Sequence, residues 1–228
     1  MQDYGEQLQR KEWLCSGWQS LEISMNNDVA MQTRRRFLSS FTLSILAGGS
    51  LFSSMAKAEE SSSSALVTVR LIGPNGSLGD PVAVPRVKKT DAEWRKQLTA
   101  EQFEIARGQG TEPAFCGNLL DNHRDGIYHC VCCGLPLFSS DTKFNSGTGW
   151  PSFFQPVAKE NVLMRVDNSY GMQRTEILCA RCGAHLGHVF DDGPAPTGLR
   201  FCLNSAAMTF VDKGKEVPEV AHATQVLK

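Results

Sequence analysis

The sequence predicts a mainly β domain preceded by two short helices, and three observations carry that reading. From Gly126 onward the apolar runs are short, rich in Phe, Val, Thr and Tyr, and interrupted by glycine or proline, with no long amphipathic helix. Two helix-start signals stand in succession just before them. Two Cys-x-x-Cys-Gly turns, Cys130–Gly134 and Cys179–Gly183, mark points where the chain reverses.

At 228 residues and 41% hydrophobic content the chain can bury one respectable core. Its net charge of −1 offers no basic footprint, which excludes a phosphate-backbone binder and predicts no nucleic-acid partner. The N-terminal stretch "TRRRFLSSFTLSILAGGSLFSSMAKAEE" is more specific. It carries Arg34, Arg35 and Arg36, then an apolar run from Phe37 to Met55, then Ala56-Lys57-Ala58. Basic region, hydrophobic region and A-x-A site make a secretory signal cleaved after Ala58, and Thr33–Leu38 fits the twin-arginine export signal of bacteria. The alternative is a membrane anchor. Ser39, Ser40, Ser44, Gly48, Gly49 and Ser50 make the run a poor permanent span, so none is expected once the signal is removed. Met31 lies directly before the signal and is an alternative start; Met1–Ala30, with Cys15, are set aside from the fold. The expected location is the bacterial periplasm. Twin-arginine export moves folded proteins, so a metal site assembled beforehand is compatible with it.

Four segments follow: residues 1–58, extension and signal; 59–90, linker and β-rich segment; 91–212, the main domain; 213–228, a polar tail. "EESSSS" is a polar linker. "LVTVRLI" and "PVAVPRV" read as β runs around the turn region "GPNGSLGD". "TDAEWRKQL" starts with Thr90 and has Glu93 three residues on, a capping box. "TAEQFEIARG" repeats the device with Thr99 and Gln102 and stops at Gly108. The β runs occupy the rest.

Cys130, Cys133, Cys179 and Cys182 form two matched pairs, a strong tetrahedral Zn²⁺ signal. Each turn aims two thiolates at one point, and the glycine relieves crowding. Two disulfides, or a redox-active pair, are the alternatives; the duplication with matching glycines favours one structural zinc. Cys132 then lies inside the first turn and points away from the ion. His185 and His188 follow in "CGAHLGHVFDDG". Beside Asp191 and Asp192 they suit proton transfer or hydrogen bonding to a polar substrate, against the alternative of buried structural histidines.

"GLRFCLNSAAMTF" alternates as a strand does. Arg200, Cys202 and Asn204 share one face, with Phe201 and Leu203 turned to the core. A guanidinium beside Cys202 is expected to favour its thiolate, and the Asn204 amide adds a donor. The alternative is a small buried hydrophobe. In "SGTGWPSFF", glycines and Pro151 build a rigid exposed loop that is expected to present Trp150 as one wall of a pocket for an apolar methyl group; the alternative is an ordinary core aromatic.

Together "GTEPAFCGNLL", "GIYHCVCCGLPLF", "SGTGWPSF", "GMQRTEILCARCGAHLGHVFDDGPAPTG" and "LRFCLNSAAMTF" resemble the methionine sulfoxide reductase B family, in order, from about Asp91 to Phe210. The resemblance implies two antiparallel sheets, a structural zinc on the two Cys-x-x-Cys pairs, and reduction of methionine-R-sulfoxide, free or in proteins and peptides. It implies Cys202 as nucleophile and Trp150 as the indole that meets the substrate methyl. It implies His185, His188 and Asn204 around the sulfoxide oxygen and its water network, with Asp192 and Arg200 behind. Cys202 would become a sulfenic acid, resolved by a second thiol and recycled by a thioredoxin-like reductant; a monomer is expected. This chain departs from the family at Thr148, where many members carry the resolving cysteine. Cys116 and Cys132 are the spare thiols. Cys132 is held in the metal turn, whereas Cys116 lies in a loop where some members place that cysteine, so Cys116 is the expected partner of Cys202. The competing reading is a zinc-ribbon-like binding or chaperone module without catalysis. It would need neither Arg200, Cys202 and Asn204 on one face nor an export signal. A thiol peroxidase would leave the tryptophan loop unexplained.

Overall fold

A computed structural model describes residues 65–73 and 76–215, Tyr170 by its backbone alone. The expected signal, the "EESSSS" linker and the tail beyond residue 215 lie outside the described residues. Among the described residues no helix is long and apolar enough to cross a membrane.

The chain opens with an antiparallel hairpin, β1 (Leu66–Ile72) and β2 (Leu78–Pro85). The second strand starts inside the stretch expected to be turn, because Leu78 pairs with Ile72 across a bulge. Val69 and Val84 face the core while their neighbours stay partly open. The hairpin is locked on by Asn161. That fully buried amide accepts from Arg70 N (2.8 Å) and donates to Arg70 O and Pro136 O (2.8 Å each), so no polar atom of its side chain is stranded.

Both predicted helices form. In α1 (Asp91–Gln97), Thr90 Oγ1 accepts from Glu93 N (3.3 Å) and Glu93 Oε2 accepts from Thr90 N (2.8 Å). In α2 (Ala100–Ala106), Thr99 and Gln102 make the same reciprocal pair. Helices this short are marginal alone; Trp94 from α1 and Phe103, Ile105 and Ala106 from α2 bury them against the core.

The strands that follow are β3 (Gly126–Cys130), β4 (Pro136–Ser139), β5 (Lys143–Phe144), β6 (Ser152–Phe153), β7 (Val162–Asp167), β8 (Arg174–Cys179), β9 (His185–Phe190), β10 (Arg200–Leu203) and β11 (Met208–Asp212). They make the two antiparallel sheets expected: a three-stranded one ordered β11-β3-β4 and a six-stranded one ordered β5-β6-β10-β9-β8-β7. Aromatic rings join them. Tyr128 of β3 meets Phe153 of β6 edge-on at 4.9 Å, and Phe138 of β4 lies 4.8 Å from Phe153 and 5.6 Å from Phe201 of β10. The strand that carries Cys202 is therefore anchored by its inward-facing neighbours Phe201 and Leu203, both almost fully buried.

Candidate active site and metal centre

The two Cys-x-x-Cys turns are built alike. Cys130 ends β3 and Cys179 ends β8; in each turn the glycine N–H returns to the first cysteine carbonyl, Gly134 to Cys130 and Gly183 to Cys179, both at 2.8 Å. Gly134 and Gly183 sit in the left-handed region, φ 70° and 69°, where a side chain would strain the reversal. The helices clamp these turns from outside: Gln97 Nε2 donates to Cys132 O (2.7 Å) and Arg107 Nη1 to Cys182 O (3.0 Å). Cys130, Cys133, Cys179 and Cys182 bring their four sulfurs within 4.8 Å of one another, all buried. Cys130 Sγ lies 3.6 Å from Cys182 Sγ, and Cys133 Sγ 3.5 Å from Cys179 Sγ. Four sulfurs at ~2.3 Å from a shared ion would be about 3.8 Å apart, so the cluster fits a tetrahedral metal with all four positions filled by protein. Cys132 is buried beside the cluster but outside that set.

Cys202 lies on the central strand β10, opposite Ser152 of β6 and His188 of β9. Its face alternates as expected, Arg200 and Cys202 on one side, Phe201 and Leu203 in the core. Arg200 makes a bidentate pair with Asp192, Nε to Oδ1 at 2.8 Å and Nη2 to Oδ2 at 2.9 Å, and it also reaches the Cys202 sulfur. Thr148 and Ser152 hydroxyls contact that sulfur too. Ser146 Oγ joins them, 2.8 Å from Thr148 Oγ1 and 2.7 Å from Ser152 Oγ. A cleft of about 370 Å³ opens beside these groups, lined by Phe144, Thr148, Asp192, Pro194 and Arg200 among others. The expected acidity of Cys202 is corrected here. Burial pushes the thiol up, and the opposing pull of Arg200, Thr148 and Ser152 does not overcome it.

The histidines come together by a device the sequence did not reveal. They are three residues apart, which on a regular strand would place them on opposite faces. The β8–β9 register slips between Ile177 and Leu178, and the bulge brings the rings to 5.4 Å, edge to face. A Cβ at Gly187, inside the bulge, would fall on the Cys202 carbonyl oxygen. The carboxylate partners also differ from the neighbouring Asp191 and Asp192. His185 Nδ1 bonds Glu176 Oε1 at 2.7 Å, and His188 Nε2 bonds Asp167 Oδ2 at 2.8 Å. Glu176 is held in turn by Arg165 (2.6 and 2.9 Å) and Gln109 (3.2 Å), and Asp167 by Arg174 (2.8 Å). Burial pushes His185 down against the pull of Glu176, which favours the neutral ring. With its proton on Nδ1 toward Glu176, Nε2 is left buried without a partner. Sequence reading missed Glu176 and Asp167. An acid inside the apolar run "RTEILC" was the signal for the first.

Asn204 follows β10 and is buried. Its Oδ1 accepts from Glu112 N (3.0 Å) and its Nδ2 donates to Leu186 O (3.2 Å), leaving one amide hydrogen. Half-buried Trp150 donates Nε1–H to Glu112 O at 2.9 Å. Cys116 lies on the same loop as Glu112; it carries a disulfide, whereas Cys202 is a free thiol.

Comparison with known proteins adds family evidence. A SelR domain matches residues 98–212. The peptide methionine sulfoxide reductase MsrB of Hahella chejuensis is 58% identical over 125 residues, covering 55% of this chain and 90% of that protein. Its counterpart in Leptospira interrogans is 59% identical over 124 residues, 54% of this chain and 95% of its own. That of Methanosarcina barkeri is 51% identical over 140 residues, 60% of this chain and 99% of its own.

Proposed function

The chain belongs to the SelR domain family, and from that premise we infer that it is a peptide-methionine (R)-S-oxide reductase, an oxidoreductase that returns oxidised methionine to methionine. The observation that carries the reading is Cys202: a free thiol on the central strand, between Ser152 and His188 and in contact with Arg200 and Thr148, both of which line the cleft.

In the proposed reaction the substrate methyl packs against Trp150 and the sulfoxide oxygen points to the histidines and Asn204. The Cys202 thiolate, stabilised by Arg200 and the Thr148 and Ser152 hydroxyls against the larger effect of burial, attacks the sulfoxide sulfur. Neutral His185 presents a lone pair at Nε2, so it orients a water by accepting a hydrogen bond from it; that water passes its other proton to the oxygen, and the proton released when Cys202 ionised restores the water. Asp167 holds His188 in the complementary orientation. The oxygen ends on Cys202 as a sulfenic acid, and methionine leaves with its sulfur reduced by two electrons. The Cys116 thiol, present once its disulfide is opened, attacks the sulfenic sulfur and releases water. The resulting Cys116–Cys202 bond is reopened by an external dithiol such as a thioredoxin-like protein. Cys130, Cys133, Cys179 and Cys182 would hold zinc, which supplies a crosslink between turns and no open position for chemistry. The chain acts as a monomer on oxidised exported proteins, reached by the twin-arginine route.

Incubation of the reduced protein with one equivalent of a methionine-R-sulfoxide peptide, followed by disulfide mapping, tests this. A Cys116–Cys202 bond is expected, and Cys116→Ser should release a single equivalent of methionine but stall with thioredoxin. A mapped Cys132–Cys202 bond, or full recycling by Cys116→Ser, would remove Cys116 from the mechanism. Absence of methionine from the wild type would remove the reductase reading itself.

A further inference from the structure

Glu112 lies in the loop between α2 and β3, almost fully buried at 2% exposure, and nothing in the reaction above uses it. It is tied at four points. Its N–H donates to Asn204 Oδ1 (3.0 Å) and its carbonyl accepts the Trp150 indole N–H (2.9 Å). Its carboxylate accepts from Ser205 N (2.7 Å, Oε1) and Ala206 N (3.0 Å, Oε2), the first residues of the 3-10 turn that follows β10. The loop closes tightly around these bonds. A Cβ at Gly117 would fall on Ser205 Oγ and Glu112 Oε1, and Phe115 N donates to Gly149 O (2.8 Å), next to Trp150.

One residue thus joins the indole and the amide through its own main chain, and fixes the end of the nucleophile strand through its side chain. Burial of an anion is costly, and burial does push the Glu112 carboxyl up, against the downward pull of the Ser205 and Ala206 amides. An apolar side chain would fill the same space without that cost but would leave both amides unpaired. A buried carboxylate kept at such a junction fits a demand for one geometry more than a demand for stability.

We propose that Glu112 is the positioning residue of this site, holding the Trp150 indole and the Asn204 amide in one fixed arrangement beside Cys202. The inference rests on the reductase reading, in which both groups face the substrate. Glu112→Gln keeps the shape but turns one acceptor into a donor, so either Ser205 N–H or Ala206 N–H loses its partner.

The test uses the full chain, a methionine-R-sulfoxide peptide and dithiothreitol as reductant, which bypasses any protein reductant. Glu112→Gln should lower kcat/KM by about tenfold or more, with KM raised as the indole wall loosens and metal content unchanged. Tryptophan emission should shift in Glu112→Gln, and the shift should vanish when the change is made in a Trp150→Phe background. The losses from Glu112→Gln and Trp150→Phe should be less than additive, since each breaks the same junction. A kcat/KM within about twofold of wild type, or additive losses with no emission change, would overturn the assignment. If Glu112→Gln does not fold, Glu112→Asp, which keeps the charge on a shorter arm, is read by the same criteria. An inactive wild type would instead overturn the reductase reading, leaving the emission experiment to decide the Glu112–Trp150 coupling.

Discussion

At the scale of single residues, two opposing effects set the acidity of Cys202. Arg200 next to a thiol predicts a favoured thiolate, and the guanidinium does pull that way, but burial wins and the thiol is held above its ordinary range. Asp192 shares the guanidinium, which dilutes its field at the sulfur. In the proposed reaction the thiolate is the attacking form, and its fraction grows with pH until the raised pKa is passed. Single-turnover methionine release should therefore accelerate from neutral into alkaline pH, and Arg200→Met should move the rising limb to still higher pH. A rate independent of pH over that range would mean that thiolate formation does not limit attack. Cys202→Ser should abolish turnover while metal content and melting temperature stay near wild type; residual reductase activity would remove Cys202 as nucleophile.

At the scale of elements, the β9 bulge and the paired metal turns each convert a local irregularity into a site. Without the bulge His185 and His188 would face opposite sides of the sheet. Gly187 permits it because the Cys202 backbone passes where a side chain would be. Gly187→Ala should destabilise the domain by about 1–3 kcal/mol through overpacking and lower activity further by displacing β9 from β10. Denaturant melts with activity assays check both, and an unchanged midpoint would show that the sheet yields freely there. The Cys turns act differently, since they join β3 of one sheet to β8 of the other. Cys179→Ser should remove the metal and unfold the domain, because a structural zinc site couples about 10 kcal/mol or more of binding to folding. A metal-free variant with a cooperative, native-like melt would count against that coupling.

At the scale of the whole molecule, the proposed export predicts a mature N-terminus at Glu59 in the periplasmic fraction, lost when Arg34 and Arg35 are both changed to lysine. N-terminal sequencing decides it, and an intact N-terminus in the cytoplasm would refute the route. The sequence by itself determined what depends on neighbours along the chain: both capping boxes, each of the two Cys-x-x-Cys-Gly turns, the alternation of β10 and the short β runs. Capping reaches three residues and a strand repeats every two, so these signals are complete within a short window. Only the tertiary structure decided what depends on distant segments meeting. Glu176 and Asp167 reach the histidines from β8 and β7, although Asp191 and Asp192 lie closer in the chain. Glu112 meets Asn204, Ser205 and Ala206 from a separate loop. The acidity of Cys202 depends on how deeply the sheet is covered, because desolvation is set by every atom packed around the sulfur and not by the residues beside it in sequence.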